Sequence, residues 1–350
     1  MILRNLFVCV FVTVISSCSS SPKVVTQERP WQKLVSKGYV QTSFNDFGKR
    51  IEIRIWPQAK SKVPASQSLA LAKNEIQRIA SLADSTLKTS LLYQVNEKAF
   101  ESPVPITQEF LDILTECDRM FQQTEGKFDV TFVPYKFGDE ETDLDLNKVT
   151  DWDSKPALSP NPIHLLGKKN LIVDQNPLRL RIYNRRTKLN LNGMIRGYAI
   201  DRAARILSAQ GNAGFAIIAD GFFVASGIGL RDPGLMCVEN PQKFGTCLKP
   251  ISVQDLNQVL FFGLSASLER RGVNFDPTET WSARSGGVLV AGQVGAWVQY
   301  ASTITAVMDN MNLITFFQKA QNPRISGVYF TPGKINDLAG SLSPFAKLGN

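Results

Sequence analysis

The N-terminal apolar run constrains this chain most, because it has the length of an export signal and falls short of a membrane span. Arg4 provides a short positive region, and the apolar run over 6–15 covers about ten residues. A helix that crosses a bilayer needs about 20 apolar residues, and no later stretch of the sequence reaches that length. We therefore predict a cleaved signal peptide over 1–17, followed by a soluble body that does not span the membrane.

The residues that end this run, Ile15-Ser16-Ser17-Cys18, resemble a bacterial lipobox. The Cys18 thiolate is the nucleophile that lipidation requires, and the small residues before it let a peptidase approach. An ordinary secretory signal that happens to contain a cysteine is the alternative. Residues 18–36 are polar, as a lipid-anchored flexible tether should be. We expect the mature chain in the bacterial cell envelope, outside the cytoplasm. Ser19 favours the periplasmic face of the outer membrane over the inner membrane.

The rest of the chain has the composition of a globular protein, with 43% hydrophobic and 20% charged residues. Its length suffices for one large domain or two small ones. We place one domain over 37–340 and a tail over 341–350. The net charge of +8 is spread without a long Lys/Arg run, which favours a basic soluble surface over nucleic-acid binding.

The cysteines outside the leader and the only histidine have structural interpretations. Cys117 falls on a helical pattern and is predicted to be a small buried hydrophobic residue. Cys237 and Cys247 flank a turn-rich segment, and in an oxidising compartment they can close a small disulfide loop. His164 lies between apolar neighbours, which favours a partly buried structural residue over a catalytic one.

Apolar periodicity predicts an α+β body, because strands and helices interleave without regular βαβ spacing. Helices are predicted over 68–82, after Thr107 as N-cap, over 198–210 with Gly211 as the stop, and from about Ser302. Strands are predicted over 51–55, 170–173, 178–183, 215–218, 222–225, 259–262 and 287–290.

Four short segments of the sequence occur in the same order as the motifs of a known protein family. They are Ser85-Thr86 with Ser90-Leu91 and Asn96, then 124–131 (TEGKFDVT), then 189–201 (LNLNGMIRGYAID), and last 229–233 (GLRDP) with 265–267 (SAS) and Asp276-Pro277. This order resembles the FAD:protein FMN transferase family, often called the ApbE family, from about Gly38 to Phe330. The second and third segments are the specific part of the resemblance.

The resemblance implies a fold and an activity. The fold is α+β, a two-lobed body with mixed sheets and packed helices and a flavin cleft between the lobes. The activity moves the FMN half of FAD onto a Thr or Ser hydroxyl of an extracytoplasmic or membrane flavoprotein, with release of AMP and with Mg²⁺ at the diphosphate. The implied partners are the flavin, the target flavoprotein subunit and, through the lipid, the membrane.

The third segment also has a physical interpretation of its own. Gly193 and Gly197 allow the backbone to be approached closely, and the N-terminus of the helix that follows favours an anion. Arg196 adds a fixed positive charge with several hydrogen-bond donors. The alternative is an ordinary strand–turn–helix junction with a solvated arginine. Within the order of the four segments, the ligand-binding interpretation is preferred.

The resemblance assigns binding residues and no catalytic residue. The positions implied to bind the flavin are Thr42, Lys127, Phe128, Asp129, Asn190, Gly193, Arg196, Gly197 and Phe275. The positions implied to hold Mg²⁺ are Gly193, Thr303 and Thr305. The alternative for Phe128 is a core residue, and the alternative for Asp129 is the cap of a turn.

The chain departs from the family where the chemistry lies. Asn190 replaces an acidic residue, and Val273 stands where the family has a histidine. The family holds Mg²⁺ with an Asp, a Thr four residues later and a backbone carbonyl of the third segment. If that Thr is Thr303, Gln299 stands at the Asp position; if it is Thr305, Ala301 stands there.

Neither choice supplies the anionic oxygen that a hard cation prefers, although Asp220, Asp276 and Asp309 are carboxylates that can substitute. The missing His and Asp favour an alternative function, a catalytically inactive family member that acts as a flavin-binding or partner-binding envelope lipoprotein. A structural envelope lipoprotein without a ligand is the third interpretation.

Overall fold

The computed structural model of the chain describes residues 38–126, 128–131, 163–165, 171–183, 187–219, 221–239, 247–266, 287–305, 315–317, 325–331 and 334–348. The predicted signal peptide and tether lie outside the described residues, as do Cys18, Lys127 and Phe275. Within the described part, none of the helices combines the length and the apolarity that crossing a bilayer requires.

The described helices are α1 (Ala65–Leu82), α2 (Leu91–Lys98), α3 (Gln108–Gln123), α4 (Ile195–Ala209) and α5 (Gly295–Thr305). The helices α1, α3 and α4 lie close to their predicted positions, and α2 was not predicted. The Thr107 hydroxyl accepts the Phe110 amide at 3.2 Å, which confirms the predicted N-cap of α3. α4 begins before the predicted position 198, because the Leu191 carbonyl already accepts the amides of Met194 and Ile195.

The prediction of a helix from about Ser302 is wrong, because α5 begins at Gly295. Almost every residue of α5 is buried, so the sequence has no apolar stripe that would mark where the helix starts. In the sequence, Gly295 argues against a helix at that position, because glycine is a poor helix former. In the fold it is needed for contact, since a Cβ there would overlap the carbonyl oxygen of Gly197.

The main sheet has eight strands in the order β1-β2-β7-β8-β11-β12-β13-β14. These strands are β1 (Val40–Asp46), β2 (Lys49–Ile55), β7 (Phe215–Ala219), β8 (Phe222–Ser226), β11 (Val259–Ala266), β12 (Gly287–Gly292), β13 (Ile325–Thr331) and β14 (Lys334–Ser341). The α+β class is confirmed, and every described strand pairing is antiparallel rather than of mixed direction.

Two smaller sheets complete the described fold. One has the order β3-β6-β5-β4 and consists of β3 (Val104–Pro105), β4 (Ile163–Leu165), β5 (Leu171–Gln175) and β6 (Leu178–Ile182). The other has the order β15-β10-β9 and consists of β9 (Cys237–Glu239), β10 (Cys247–Ser252) and β15 (Lys347–Leu348). The predicted pair of strands over 170–183 is confirmed as β5 and β6, and His164 lies on β4 opposite Ile172.

Residues 342–348, within the segment expected to be a tail, pack onto this small sheet. β15 pairs with β10, and Leu342 and Phe345 are buried in an apolar cluster. Cys237 and Cys247 form a disulfide between β9 and β10, with their Cα atoms 5.7 Å apart. A segment this short has no periodicity that would predict its packing.

The main sheet separates two apolar clusters, because alternate residues of each strand point to opposite faces. Ile51, Ile53 and Ile55 of β2 join a cluster that also contains the buried residues of α1, α3, α4 and α5. We call this side the helix-covered face. Ala216 of β7 and Phe262 of β11 join the second cluster, with residues of β9, β10 and β15. We call that side the opposite face.

Candidate functional site

The candidate site is the loop of residues 187–194, which leads into α4 and which we call the α4 loop. Asn96 of α2 holds it from one side: Asn96 Nδ2 donates to the Leu189 carbonyl at 3.0 Å, and the Leu189 amide donates to Asn96 Oδ1 at 2.7 Å. The Asn190 amide donates to the Val130 carbonyl at 2.7 Å. The first two sequence segments of the resemblance therefore position the third.

The Asn190 side chain shapes the α4 loop itself. Its Oδ1 accepts the backbone amide of Asn192 at 3.0 Å, which closes a turn between neighbouring residues. Asn192 is exposed, while Gly193 and Arg196 are partly buried. The outer side of the loop is therefore accessible from solvent, and its conformation is fixed from within.

Phe128 lies against the α4 loop. A Cβ on Gly193 would come within 2.8 Å of Phe128 Cε2, so the glycine leaves room for the ring. The ring also meets Tyr300 of α5 edge-on, with centroids 4.7 Å apart, and packs on the main cluster. Of the two interpretations of Phe128, this packing favours the core residue, which forms the inner wall of the loop.

Asp129 and Thr124 close the turn around Phe128. Asp129 Oδ1 accepts the amide of Thr131 at 2.8 Å and its hydroxyl at 2.6 Å. Thr124 is buried, and its Oγ1 accepts the Phe128 amide at 3.0 Å while donating to the Met120 carbonyl at 2.9 Å. These bonds favour the turn-cap interpretation of Asp129 over a direct ligand contact.

Gly197 serves a crossing of α4 with α5 rather than the approach of a ligand. A Cβ on Gly197 would overlap the carbonyl of Gly295, and a Cβ on Gly295 would overlap the carbonyl of Gly197. The two helix backbones therefore touch at this point. The close approach predicted at Gly197 is present, and the group that approaches is a helix more than ninety residues away in sequence.

Gln299 links the crossing to the α4 loop. Its Oε1 accepts the amide of Gly197, and its Nε2 donates to the carbonyl of Asn192 at 2.9 Å. Because a backbone amide only donates and a carbonyl only accepts, the partners fix which way the side-chain amide faces. Gln299 is 3% exposed. Of the two residues considered for the missing carboxylate position, the one that faces the third segment is Gln299.

The two threonines predicted to hold a metal donate within α5. Thr303 Oγ1 donates to the Gln299 carbonyl at 3.0 Å. Thr305 is buried, and its Oγ1 donates to the Ala301 carbonyl at 2.5 Å. Such bonds to the preceding helical turn are the usual arrangement of a threonine inside a helix.

The donor set around Gln299 does not fit a divalent cation. The carbonyl that Gln299 reaches belongs to Asn192, next to the predicted ligand Gly193, and it faces an amide NH₂. Among the described residues, the neighbouring Thr303 and Thr305 provide neutral oxygens, whereas Mg²⁺ is usually bound in proteins through one or two carboxylates. Asp220, Asp276 and Asp309 lie outside the described residues. Among the described residues, no group of three or more His, Cys, Asp or Glu side chains is arranged to hold a metal ion.

The N-terminus of α4 is the electropositive part of the site. Its first turn carries Arg196 and no acidic residue, and no side chain caps its N-terminal residue Met194. The amides of Met194 and Ile195 already donate to the Leu191 carbonyl and that of Gly197 to Gln299, so the helix dipole and Arg196 are the features that favour an anion here. Tyr198 in the same turn is not a ready base, because burial, with Glu109 second, raises its pKa to about 12.

The structure brings most of the predicted residues to one place, and Thr42 lies on another element. The residues that share the α4 loop and its supports are Phe128, Asp129, Asn190, Gly193, Arg196 and Gly197. Thr42 lies on the edge strand β1 opposite Ile53. Reasoning from sequence missed the supporting role of Asn96, although the motif contains it.

A comparison with protein families fits this arrangement. The sequence model of the ApbE family matches residues 47–321, which is most of the chain. The chain belongs to the ApbE family. No curated protein sequence gives a match.

Solved ApbE structures share the fold at low sequence identity. The flavin transferase ApbE from Vibrio cholerae superposes with a TM-score of 0.62 at 17% identity, covering 88% of this chain and 99% of that one. The ApbE protein from Thermotoga maritima gives 0.57 at 17% identity, with 87% and 97% covered. The apo flavinyl transferase ApbE from Pseudomonas stutzeri gives 0.59 at 14% identity, with 87% and 94% covered.

The ApbE fold therefore extends over nearly the whole described body. The α4 loop and α5 both fall inside the matched residues 47–321. In this ApbE chain, Gln299 makes a neutral link between Gly197 and Asn192.

Proposed function

We propose that this chain is a flavin transferase that moves the FMN half of FAD onto a Thr or Ser hydroxyl of another flavoprotein and releases AMP. The observation that carries the proposal is the α4 loop, which is held by three other segments of an ApbE fold and ends at a positive helix N-terminus with Arg196. Such an end is suited to the diphosphate that joins the two halves of FAD.

In this reaction the acceptor hydroxyl oxygen attacks the phosphorus of the FMN half. A new phosphorus–oxygen bond forms, the bond to the bridging oxygen breaks, and AMP leaves with that oxygen while the hydroxyl proton passes to solvent. Catalysis of this kind depends on positioning and on compensation of charge. Arg196 and the positive end of the α4 dipole are the features of this chain that would compensate the diphosphate charge.

The proposed location of the enzyme is the cell envelope, outside the cytoplasm. With Cys18 lipidated, the body is anchored in the cell envelope, the outer membrane being favoured over the inner one, and the polar tether over 18–36 lets it reach its targets. The acceptor would then be an extracytoplasmic flavoprotein or a membrane flavoprotein subunit. Labelling of the expressed chain with a radioactive fatty acid, compared with Cys18→Ser, tests the anchor.

The transfer is tested by incubating the full-length chain in detergent with FAD and a flavoprotein domain that contains an acceptor threonine. We expect flavin fluorescence on the denatured acceptor band, and none on a matched acceptor with Thr replaced by Val. An Arg196→Gln enzyme should label the acceptor at least about tenfold more slowly, because a charge-assisted contact to the diphosphate is lost. If the wild-type chain leaves the acceptor unlabelled with and without Mg²⁺, the transferase function is refuted.

A second candidate function is supported by Gln299 itself. Since an amide replaces the carboxylate of the family, the chain can keep the flavin site without turnover and act as a flavin-binding or partner-binding envelope lipoprotein. Saturable FAD binding together with an unlabelled acceptor would favour this function. Transfer of FMN would exclude it.

A further inference from the structure

We infer that the side-chain amide of Gln299 takes the place of a divalent cation, so that this chain holds its α4 loop without metal. The geometry that carries the inference is the double link between Gly197 and Asn192, made by one buried side chain. The inference about the loop stands by itself. Its extension to the flavin, that FAD binds equally well without Mg²⁺, rests on the proposed function.

Without a metal ion, the link requires a side chain that accepts one hydrogen bond and donates another, as a neutral amide does. The Gly197 amide needs an acceptor, and the Asn192 carbonyl needs a donor or a cation. Gln299 offers an oxygen to the first and an NH₂ group to the second. A carboxylate at the same position would serve Gly197 but would set an anionic oxygen against the carbonyl oxygen of Asn192. A cation between those two oxygens would remove that repulsion.

Carboxylate with cation and amide without cation are therefore two equivalent ways to make the same link. The chain contains the second. The NH₂ group that faces Asn192 carries partial positive charge, so it opposes a cation at this point. The neighbouring hydroxyls of Thr303 and Thr305 do not offset this, because they are neutral and add no anionic oxygen.

This arrangement leaves charge compensation at the site to fixed groups of the protein. Arg196 lies in the first turn of α4, which contains no acidic residue. Unlike a bound ion, an arginine and a helix N-terminus remain in place whatever the metal content of the surroundings. The expected property is a site that works at the variable cation concentrations outside the cytoplasm.

The test compares thermal unfolding of three full-length proteins in detergent at pH 8, in EDTA and in MgCl₂. The proteins are the wild type, Gln299→Glu and the matched control Gln299→Met. We expect the melting temperature of the wild type to be the same in both buffers. Gln299→Glu should melt lower in EDTA and recover by several degrees with Mg²⁺, because the new carboxylate and the Asn192 carbonyl can share the ion. Gln299→Met should melt lower in both buffers.

Two results would overturn the inference. One is a wild type that gains as much from Mg²⁺ as Gln299→Glu does. The other is a Gln299→Glu protein that melts like the wild type in EDTA and gains nothing from Mg²⁺. If Gln299→Glu does not fold, the wild-type comparison decides alone: stabilisation by Mg²⁺ refutes the inference, and an unchanged melting temperature supports it.

The flavin extension has a separate readout. Titration of the wild type with FAD should give the same dissociation constant in EDTA and in Mg²⁺ within about twofold, while a loss of tenfold or more in EDTA refutes the extension. A protein that binds no FAD in either buffer refutes the proposed function. The melting comparison still decides the role of Gln299 in that case, because it uses the metal alone.

Discussion

Two buried polar side chains on opposite faces of the main sheet are satisfied in different ways. On the opposite face, Asp232 is 4% exposed and accepts from Arg54 Nη1 at 3.1 Å. Arg54 also donates to Glu52 at 2.6 Å and lies 5.0 Å over the ring of Tyr39. On the helix-covered face, Gln299 joins two backbone groups through a neutral amide.

The difference shows that this fold does bury charge when the chain supplies the countercharge. At position 299 a neutral side chain joins two backbone groups instead. The absence of a carboxylate at position 299 is therefore a property of the site and not of the interior as a whole. Substitutions on both faces of the sheet test this contrast.

The largest effect is expected on the charged side. Asp232→Ala removes the main buried partner of Arg54 and an acceptor of the Gly234 amide, so the free energy of unfolding should fall by about 3 kcal/mol. Asp232→Asn is the matched control, since it can still accept from Gly234 and should lose less. Urea unfolding followed by circular dichroism measures both. A loss below about 1 kcal/mol in Asp232→Ala would mean that Glu52 alone compensates Arg54.

The next effect concerns the helix crossing that the neutral link spans. Gly197→Ala should lower the free energy of unfolding by about 2–3 kcal/mol, because its Cβ meets the backbone of Gly295. Gly193→Ala should cost about 1 kcal/mol, since its Cβ meets the edge of the Phe128 ring at 2.8 Å and a side chain can move. Equal losses in the two variants would contradict the backbone contact between α4 and α5.

The neutral link itself should be worth somewhat less than the charged pair. Gln299→Met keeps the volume but leaves the buried amide of Gly197 without its acceptor. An unsatisfied buried amide costs about 1–3 kcal/mol, so we expect a loss of about 2 kcal/mol in urea unfolding. Full stability in Gln299→Met would show that the link is dispensable and would remove the contrast between the two faces.

The smallest effect is expected at the exposed ion pairs that Arg78 makes with Glu75 and Glu109 on the helices. Hydrogen bonds from Arg78 lower the pKa of Glu75 and are the first cause that lowers the pKa of Glu109. A lowered carboxyl pKa stabilises the fold above the unfolded value, 4.5 for Glu, and this contribution is lost as the pH falls through the lower folded value. Arg78 is 45% exposed, so the contribution should stay below about 1 kcal/mol.

Arg78→Gln should therefore melt slightly below the wild type at pH 7, and the difference should shrink as the pH falls below 4.5 and vanish below the lower folded pKa values of Glu75 and Glu109. Melting curves of both proteins between pH 3 and pH 7 measure it. A difference that grows towards low pH would have the wrong sign for carboxylates with lowered pKa values.

The sequence predicts the local parts of this fold well and the long-range parts poorly. The N-cap at Thr107, the hairpin of β5 and β6 and the helix before Gly211 all follow from signals within a few residues. The start of α5 could not be predicted, because a helix buried on all sides has no apolar stripe.

The candidate site shows the same limit. The motif around Gly193 and Gly197 is visible in the sequence, but the reason for Gly197 lies at Gly295, on another helix. The role of Gln299 depends on a contact with Asn192 that spans more than a hundred residues. Local periodicity does not report such a contact.

Flavin binding at the α4 loop is measured by titrating FAD with the full-length chain in EDTA and following flavin fluorescence. We expect saturable binding with one flavin per chain, weakened about tenfold or more in Arg196→Gln. A fluorescence that does not saturate, or an affinity that Arg196→Gln leaves unchanged, would contradict it.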